Sequence, residues 1–102
     1  MPFEILILMM AFVYILYSKS LDRFYTGSCL DLEVRMNQHL EKKYSDSFTR
    51  NSNDWELFLS IPNLEYSQAR IIESHIKKMK SKVYIKNLKK YPELLNKLLV
   101  EH

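Results

Sequence analysis

The spacing of hydrophobic and polar positions in the first part of the chain predicts a β-hairpin. Apolar, β-branched and aromatic residues fill positions 11–17, and a second run containing tyrosine and threonine follows at 23–27. Residues of these types suit strands. The polar segment 18–22 between the two runs has the length of a hairpin loop.

After the hairpin, the spacing of apolar residues becomes typical of a helix and then again typical of a strand. Apolar positions recur every four residues over 31–43, which predicts a helix, and the polar segment 44–54 predicts a loop. Apolar residues at every second position over 55–61 predict a half-buried strand that ends at a proline. A second helix is predicted over 66–80, and a last helical stretch over 83–100 is broken near its Tyr–Pro pair.

The order β-β-α-β-α-α predicts an α+β domain with a three-stranded, mainly antiparallel sheet flanked by helices. A chain of 102 residues is too short for two independent cores, so we expect one domain. We assign residues 11–100 to that domain and residues 1–10 to an apolar N-terminal extension.

An apolar run at Ile5–Tyr17 raises the alternative of a small membrane-associated protein. The run has thirteen residues, whereas a spanning helix needs about 20. No basic residue precedes it, Glu4 is acidic, and no small-residue cleavage site follows, so it does not resemble an export signal. We therefore expect no stable membrane association and a cytoplasmic protein.

Composition excludes several classes of site. The single glycine, Gly27, excludes a glycine-rich phosphate loop and a dinucleotide-binding fingerprint. The single cysteine, Cys29, excludes a disulfide framework and a zinc site built from cysteine pairs. A reducing compartment is the expectation for such a chain.

Charge is concentrated in one segment of the chain. Eight of the 15 basic residues but only one of the 12 acidic residues lie between Arg70 and Lys90. A basic block on an otherwise acidic chain is typical of a protein that binds a phosphate-rich partner. A lysine-rich helix face that contacts only solvent is the alternative interpretation.

Several polar residues are placed together by strand and helix periodicity. A hairpin centred between residues 19 and 20 sets Tyr14 opposite Tyr25 on one sheet face, whereas a slip of one residue separates them. Arg35 and His39 are four residues apart, off the apolar face of the first helix. Glu73 lies off the core face of the second helix.

These side chains have the chemical types that phosphodiester hydrolysis needs: a base for water, a cation for the phosphoryl charge and a carboxylate for a divalent metal. Each also has an ordinary structural interpretation. Paired tyrosines commonly pack in a hairpin, Arg35 and His39 can form a surface pair, and Glu73 with Lys77 can be a simple i,i+4 ion pair.

Four motifs occur in an order typical of one enzyme family. Val13–Leu16 stands at the first motif and Tyr25–Gly27 at the second, with ten residues between their tyrosines. Asp31–Arg35 followed by His39 is similar to an R-x-x-x-H helix, and Ala69–Lys77 is similar to a helix that carries a metal-binding glutamate. The chain resembles a stand-alone GIY-YIG endonuclease domain of the small bacterial type.

The resemblance covers positions 12–99, nearly the whole chain after the extension. Ser47–Arg50 before Asp54–Leu57 is similar to the approach to the third strand in the small bacterial members. Two positions depart from the family pattern, because Val13 replaces a glycine and Thr26 replaces an isoleucine.

The resemblance implies a role for each candidate catalytic residue. Glu73 would ligate a single Mg²⁺ or Mn²⁺, and Arg35 would pair with the non-bridging phosphate oxygens. Tyr14 would orient or deprotonate the attacking water, Tyr25 would hydrogen-bond within the array, and His39 would relay a proton. We expect these groups to surround one solvent-open pocket.

The expected activity is metal-dependent hydrolysis of nucleic acid, with DNA as the substrate and repair or recombination as the setting. A non-catalytic nucleic-acid-binding module on the same fold is the alternative, and the oligomeric state is left open. The backbone-binding residues that we expect are Lys77, Lys78, Lys80, Lys82 and Lys86.

Overall fold

The computed structural model describes residues 11–40 and 52–102, which form a three-stranded sheet and four helices. In chain order the elements are β1 (Ala11–Ser18), β2 (Arg23–Cys29), α1 (Leu32–Leu40), β3 (Trp55–Leu64), α2 (Tyr66–Met79), α3 (Lys82–Lys90) and α4 (Pro92–Glu101). This order confirms the predicted α+β class, and the last predicted helical stretch is divided into α3 and α4. The predicted extension 1–10, the end of the first predicted helix and most of the loop 44–54 lie outside the described residues.

The sheet has the strand order β2-β1-β3, and both strand pairs are antiparallel. As the central strand, β1 is covered on both faces, so four consecutive side chains have no exposed surface: Val13, Tyr14, Ile15 and Leu16. This coverage explains why the first hydrophobic run is continuous rather than alternating.

The register of the hairpin differs from the predicted one. Tyr14 pairs with Gly27, and Tyr25 pairs with Leu16, so the predicted direct opposition of the two tyrosines is wrong. The turn uses four residues between Ser18 and Arg23, and Asp22 adopts a left-handed φ of 49° within it. A displacement of two residues preserves the face, so Tyr14 and Tyr25 still lie on the same side of the sheet.

The third strand is longer than predicted, because it continues through Pro62 to Leu64. Pro62 is exposed on an edge strand, where a missing N–H donor removes no ladder hydrogen bond. The register between β1 and β3 also shifts at this point, and Asn63 has a positive φ of 62°. Such an irregularity is typical of the edges of sheets.

Two hydrophobic clusters cover the two faces of the sheet. One contains Val13 and Ile15 of β1 with side chains from α2, α3 and α4, and burying each large aliphatic side chain contributes about 1.5–3 kcal/mol. The other contains Tyr14, Leu16, Tyr25, Cys29 and Trp55, with Leu32 and Met36 of α1 packed against it. The two candidate tyrosines therefore lie between α1 and the sheet, whereas Glu73 is on α2, which covers the other face.

Candidate active site

The centre of the site is a buried group of three rings. Tyr14 and Tyr25 come from neighbouring strands and His39 from α1, with ring centroids 6.3 Å apart for the tyrosines and 5.7 and 5.4 Å from His39 to Tyr14 and Tyr25. A hydrogen bond of 3.0 Å joins Tyr14 Oη and His39 Nε2. This bond allows a proton to be exchanged between a phenol and an imidazole that are both shielded from solvent.

His39 lies on a different face of α1 than the sequence predicted. We placed it off the apolar face, but its side chain is only 2% exposed. The signal was present in the spacing, because Leu32, Met36 and His39 follow the i, i+4, i+7 pattern of one helical stripe. The prediction was wrong because a histidine was counted as polar and therefore as outward-facing.

Gly27 permits the position of Tyr14. A Cβ placed on Gly27 would lie 2.5 Å from Cζ and 2.9 Å from Cε1 of Tyr14, and it would also overlap the hydroxyl oxygen. Tyr14 is the cross-strand partner of Gly27, so its ring lies directly across the glycine backbone. Any larger residue at this position requires the Tyr14 ring to move. The close approach of this ring therefore explains why the second motif has a glycine at position 27.

Glu73 lies at the edge of β2, on the side of the sheet covered by α2. Its Oε1 accepts a hydrogen bond from Ser28 Oγ at 2.5 Å, and its Oε2 pairs with Lys77 Nζ at 2.7 Å. The Glu73 side chain is 18% exposed and that of Lys77 is 48% exposed. The ammonium of Lys77 also lies 5.5 Å from the centroid of the Tyr25 ring, and it thereby links the carboxylate to the ring cluster.

Arg35 lies on α1 and is partly buried. Burial raises the pKa of the Cys29 thiol, and the positive charge of Arg35 acts in the opposite direction. Since Cys29 belongs to the same cluster as Tyr14 and Tyr25, Arg35 is on their side of the sheet. Arg35 and Glu73 therefore belong to different layers of the fold.

We expected the candidate catalytic residues to surround one solvent-open pocket, but the two tyrosines are buried. Tyr14 has no exposed surface, and Tyr25 is 7% exposed. Arg35 and Glu73 are partly exposed. The candidate site thus has a buried aromatic half and a partly exposed ionic half that is divided between α1 and α2, and Lys77 connects Glu73 of the ionic half to the Tyr25 ring.

A basic groove of about 510 Å³ adjoins the site along the edge of β2. Beside Tyr25, its lining includes four basic residues: Arg23, Lys77, Lys80 and Lys82. Arg23 was not predicted, because its contribution depends on how the second strand packs beside the helices that follow the third. A neighbouring depression of about 420 Å³ brings Glu73 together with Arg70, Lys77, Lys78 and Lys80.

The lysines that we predicted to bind the nucleic-acid backbone lie in different parts of this surface. Lys77 and Lys80 line both depressions, Lys78 lines only the second, and Lys82 lines only the groove. Lys86 is exposed on α3; hydrogen bonds from Tyr17 and Lys82 lower the pKa of the Asp22 carboxyl, and the charge of Lys86 adds a smaller effect in the same direction. The Lys82 ammonium, which lines the groove, donates its hydrogen bond of 2.9 Å to Asp22 in the hairpin turn.

Glu73 has the chemistry of a ligand for a single hard cation. Within residues 11–40 and 52–102, no three His, Cys, Asp or Glu side chains are grouped so as to hold a metal ion. Mg²⁺ is commonly bound through one or two carboxylates, with waters and substrate phosphate completing its shell. A lone, partly exposed carboxylate beside a basic groove fits that mode of binding.

Comparison with known families identifies the class of protein. The family model of the GIY-YIG catalytic domain matches residues 10–91, so the chain belongs to the GIY-YIG family. This is a family of nucleases, and the resemblance stated from the motifs is confirmed. No curated protein and no solved structure matches the chain. Among the helices of the described residues, none is long and apolar enough to cross a membrane.

Proposed function

We propose that this protein is a divalent-metal-dependent endonuclease that hydrolyses phosphodiester bonds of DNA at the site formed by Tyr14, Tyr25, Arg35, His39 and Glu73. The observation that carries the proposal is the hydrogen bond of 3.0 Å between Tyr14 and His39, in contact with Tyr25. A buried, hydrogen-bonded phenol–imidazole pair is suited to proton transfer, and Lys77, over the Tyr25 ring, connects this ring cluster to the Glu73 carboxylate on the other side of the sheet.

Proton transfer would begin at the buried pair. A phenol has an ordinary pKa near 10, so Tyr14 needs an acceptor for its proton before it can take one from water. In the tautomer that leaves Nε2 unprotonated, His39 would be that acceptor, and the Tyr14 oxygen would then receive the proton of the attacking water. Because Tyr14 has no exposed surface, this step requires the site to open when substrate binds.

Charge stabilisation would come from the ionic half of the site. Arg35 would pair with the non-bridging oxygens of the phosphate as negative charge accumulates on them. Glu73 would hold Mg²⁺ or Mn²⁺, which acts as a Lewis acid on the phosphate when bound. Tyr25, at the junction of the two halves, would hydrogen-bond within the array.

The basic groove would bind the nucleic-acid backbone. Lysine and arginine contacts to phosphates supply affinity but carry no base sequence, so we propose binding without strong sequence preference. A role in DNA repair or recombination and a cytoplasmic location complete the proposal, and residues 11–100 would form its single functional domain. A non-catalytic binding module is the second candidate, which the full burial of Tyr14 favours.

Cleavage of supercoiled plasmid DNA in the presence of Mg²⁺ or Mn²⁺ tests the proposal. We expect the wild-type protein to nick the plasmid, and Arg35→Ala and Glu73→Gln to abolish nicking while urea denaturation shows a folded protein. Glu93→Gln, which removes an exposed acidic charge from α4, is the matched control and is expected to remain active. DNA binding without cleavage by the wild type would favour the binding module, and cleavage by Glu73→Gln would contradict the assigned site.

A further inference from the structure

Lys77 lies between the candidate metal ligand and the basic groove. Its Nζ is 2.7 Å from Oε2 of Glu73 and 5.5 Å from the centroid of the Tyr25 ring. The same side chain lines both the groove along β2 and the depression that contains Glu73. With 48% of its surface exposed, Lys77 has room to turn from the carboxylate towards the groove.

The two oxygens of Glu73 are held differently. Ser28 Oγ, from a residue of β2, donates to Oε1, whereas the ammonium of the half-exposed Lys77 side chain donates to Oε2. A divalent cation that binds Oε2 would occupy the position of the Lys77 ammonium, and two cations repel each other at such a distance. The Ser28 hydroxyl can keep Oε1 in place during the exchange.

We propose that Lys77 and the divalent metal compete for Oε2 of Glu73, so that metal binding releases the Lys77 ammonium to a phosphate group in the basic groove. The inference rests on the proposed function, because it takes Glu73 as the metal ligand. Arg23, Lys80 and Lys82 line the groove to which the released ammonium would turn. By linkage, a phosphate that holds Lys77 away from Glu73 strengthens metal binding to the same extent.

The first test measures Mn²⁺ affinity without substrate, from the electron paramagnetic resonance signal of free Mn²⁺. Removal of a partly exposed competing pair should tighten Mn²⁺ binding to Lys77→Met roughly two-fold relative to wild type. The matched control is Lys97→Met, since Lys97 forms another i,i+4 contact, with Glu101 at 3.9 Å. We expect the affinity of this control to equal that of the wild type.

The second test follows the Lys77 amine in the wild-type protein by acetylation and mass spectrometry. Addition of Ca²⁺ should raise the acetylation rate of Lys77, because the ammonium loses its carboxylate partner, and a DNA duplex added with Ca²⁺ should then protect it. Lys97 serves as the internal control, whose rate Ca²⁺ leaves unchanged.

The outcomes separate this inference from the function beneath it. Glu73-dependent Mn²⁺ binding that is no tighter in Lys77→Met than in Lys97→Met would overturn the inference alone. If Mn²⁺ binding depends on Glu73 but Ca²⁺ leaves the acetylation rate of Lys77 unchanged, the inference alone would likewise be overturned. Wild-type protein whose Mn²⁺ binding is absent, or is equal in Glu73→Gln, would overturn both the inference and the metal site of the proposed function.

Discussion

Replacement of Gly27 by alanine tests whether the position of Tyr14 is set by the missing side chain. The added Cβ would lie 2.5 Å from Cζ of Tyr14, whereas carbon atoms in ordinary contact are about 3.5–4.0 Å apart. The ring must therefore move by about 1 Å. Tyr14 is fully buried, so this movement disturbs its packed neighbours and its hydrogen bond to His39.

The expected cost follows from two contributions. Overpacking a well-filled interior costs about 1–3 kcal/mol, and loss of the buried hydrogen bond between Tyr14 and His39 costs about 1 kcal/mol more. We expect Gly27→Ala to lower the free energy of unfolding by about 2–4 kcal/mol, measured by urea denaturation. DNA cleavage should fall with it, because the phenol and the imidazole are no longer aligned.

The predicted loss of stability in Gly27→Ala is opposite in sign to the effect expected without the Tyr14 contact. Alanine in place of a strand glycine with open space beside it would stabilise the fold by about 0.5–1 kcal/mol, since glycine loses more backbone entropy on folding. A Tyr14→Leu background removes the contacting ring atoms and should reduce the cost of Gly27→Ala by more than about 1 kcal/mol. A stabilised Gly27→Ala variant, or an equal cost in both backgrounds, would refute the reasoning.

The remaining predictions concern the buried pair, the groove and the start of β3. Tyr14→Phe should abolish cleavage while retaining DNA affinity in an anisotropy titration, and should cost about 1 kcal/mol of stability. A double Lys80→Gln, Lys82→Gln variant should weaken binding to all sequences and flatten the salt dependence by about 0.9 per lost phosphate contact; an unchanged slope would exclude the groove. Asp54 accepts hydrogen bonds from the Ser18 hydroxyl and from the Ser20 backbone N–H, and these lower its pKa from the ordinary 3.8. The hydrogen bonds to the ionised Asp54 carboxylate therefore contribute fully to stability at pH values above 3.8, and this contribution is lost as the pH falls below that value. Urea denaturation should show Asp54→Asn to be less stable than wild type at pH 7, and the difference should shrink in acid.

The fold was predictable because hydrophobic spacing specified each element of the described chain. The hairpin register was not, because it depends on a turn whose left-handed residue is Asp22 and whose Ser20 is hydrogen-bonded to Asp54, just before β3. Hydrophobic runs alone permit a displacement of two residues, since it leaves every side chain on the same face.

The site was predictable by residue type but not by environment. The family motifs identified Tyr14, Arg35 and Glu73, yet nothing in the sequence indicated that Ser28 would hold the Glu73 carboxylate from β2. That contact depends on how α2 packs against the edge strand, which is a tertiary property. Burial of His39 was the exception, because its spacing on α1 carried the information.

The division of the site across the edge of β2 has a consequence for how it works. Side chains alternate along a strand, so Tyr25 and Ser28 point to opposite faces of the sheet. The proton-transfer pair on the α1 side and the carboxylate on the α2 side are therefore held by separate layers of the fold. Only groups that reach around the exposed edge can couple the two layers, and Lys77, with contacts to both Glu73 and Tyr25, is such a group. A phosphate bound at the β2 edge would contact both layers at once, so we expect the proposed reaction to take place at this edge.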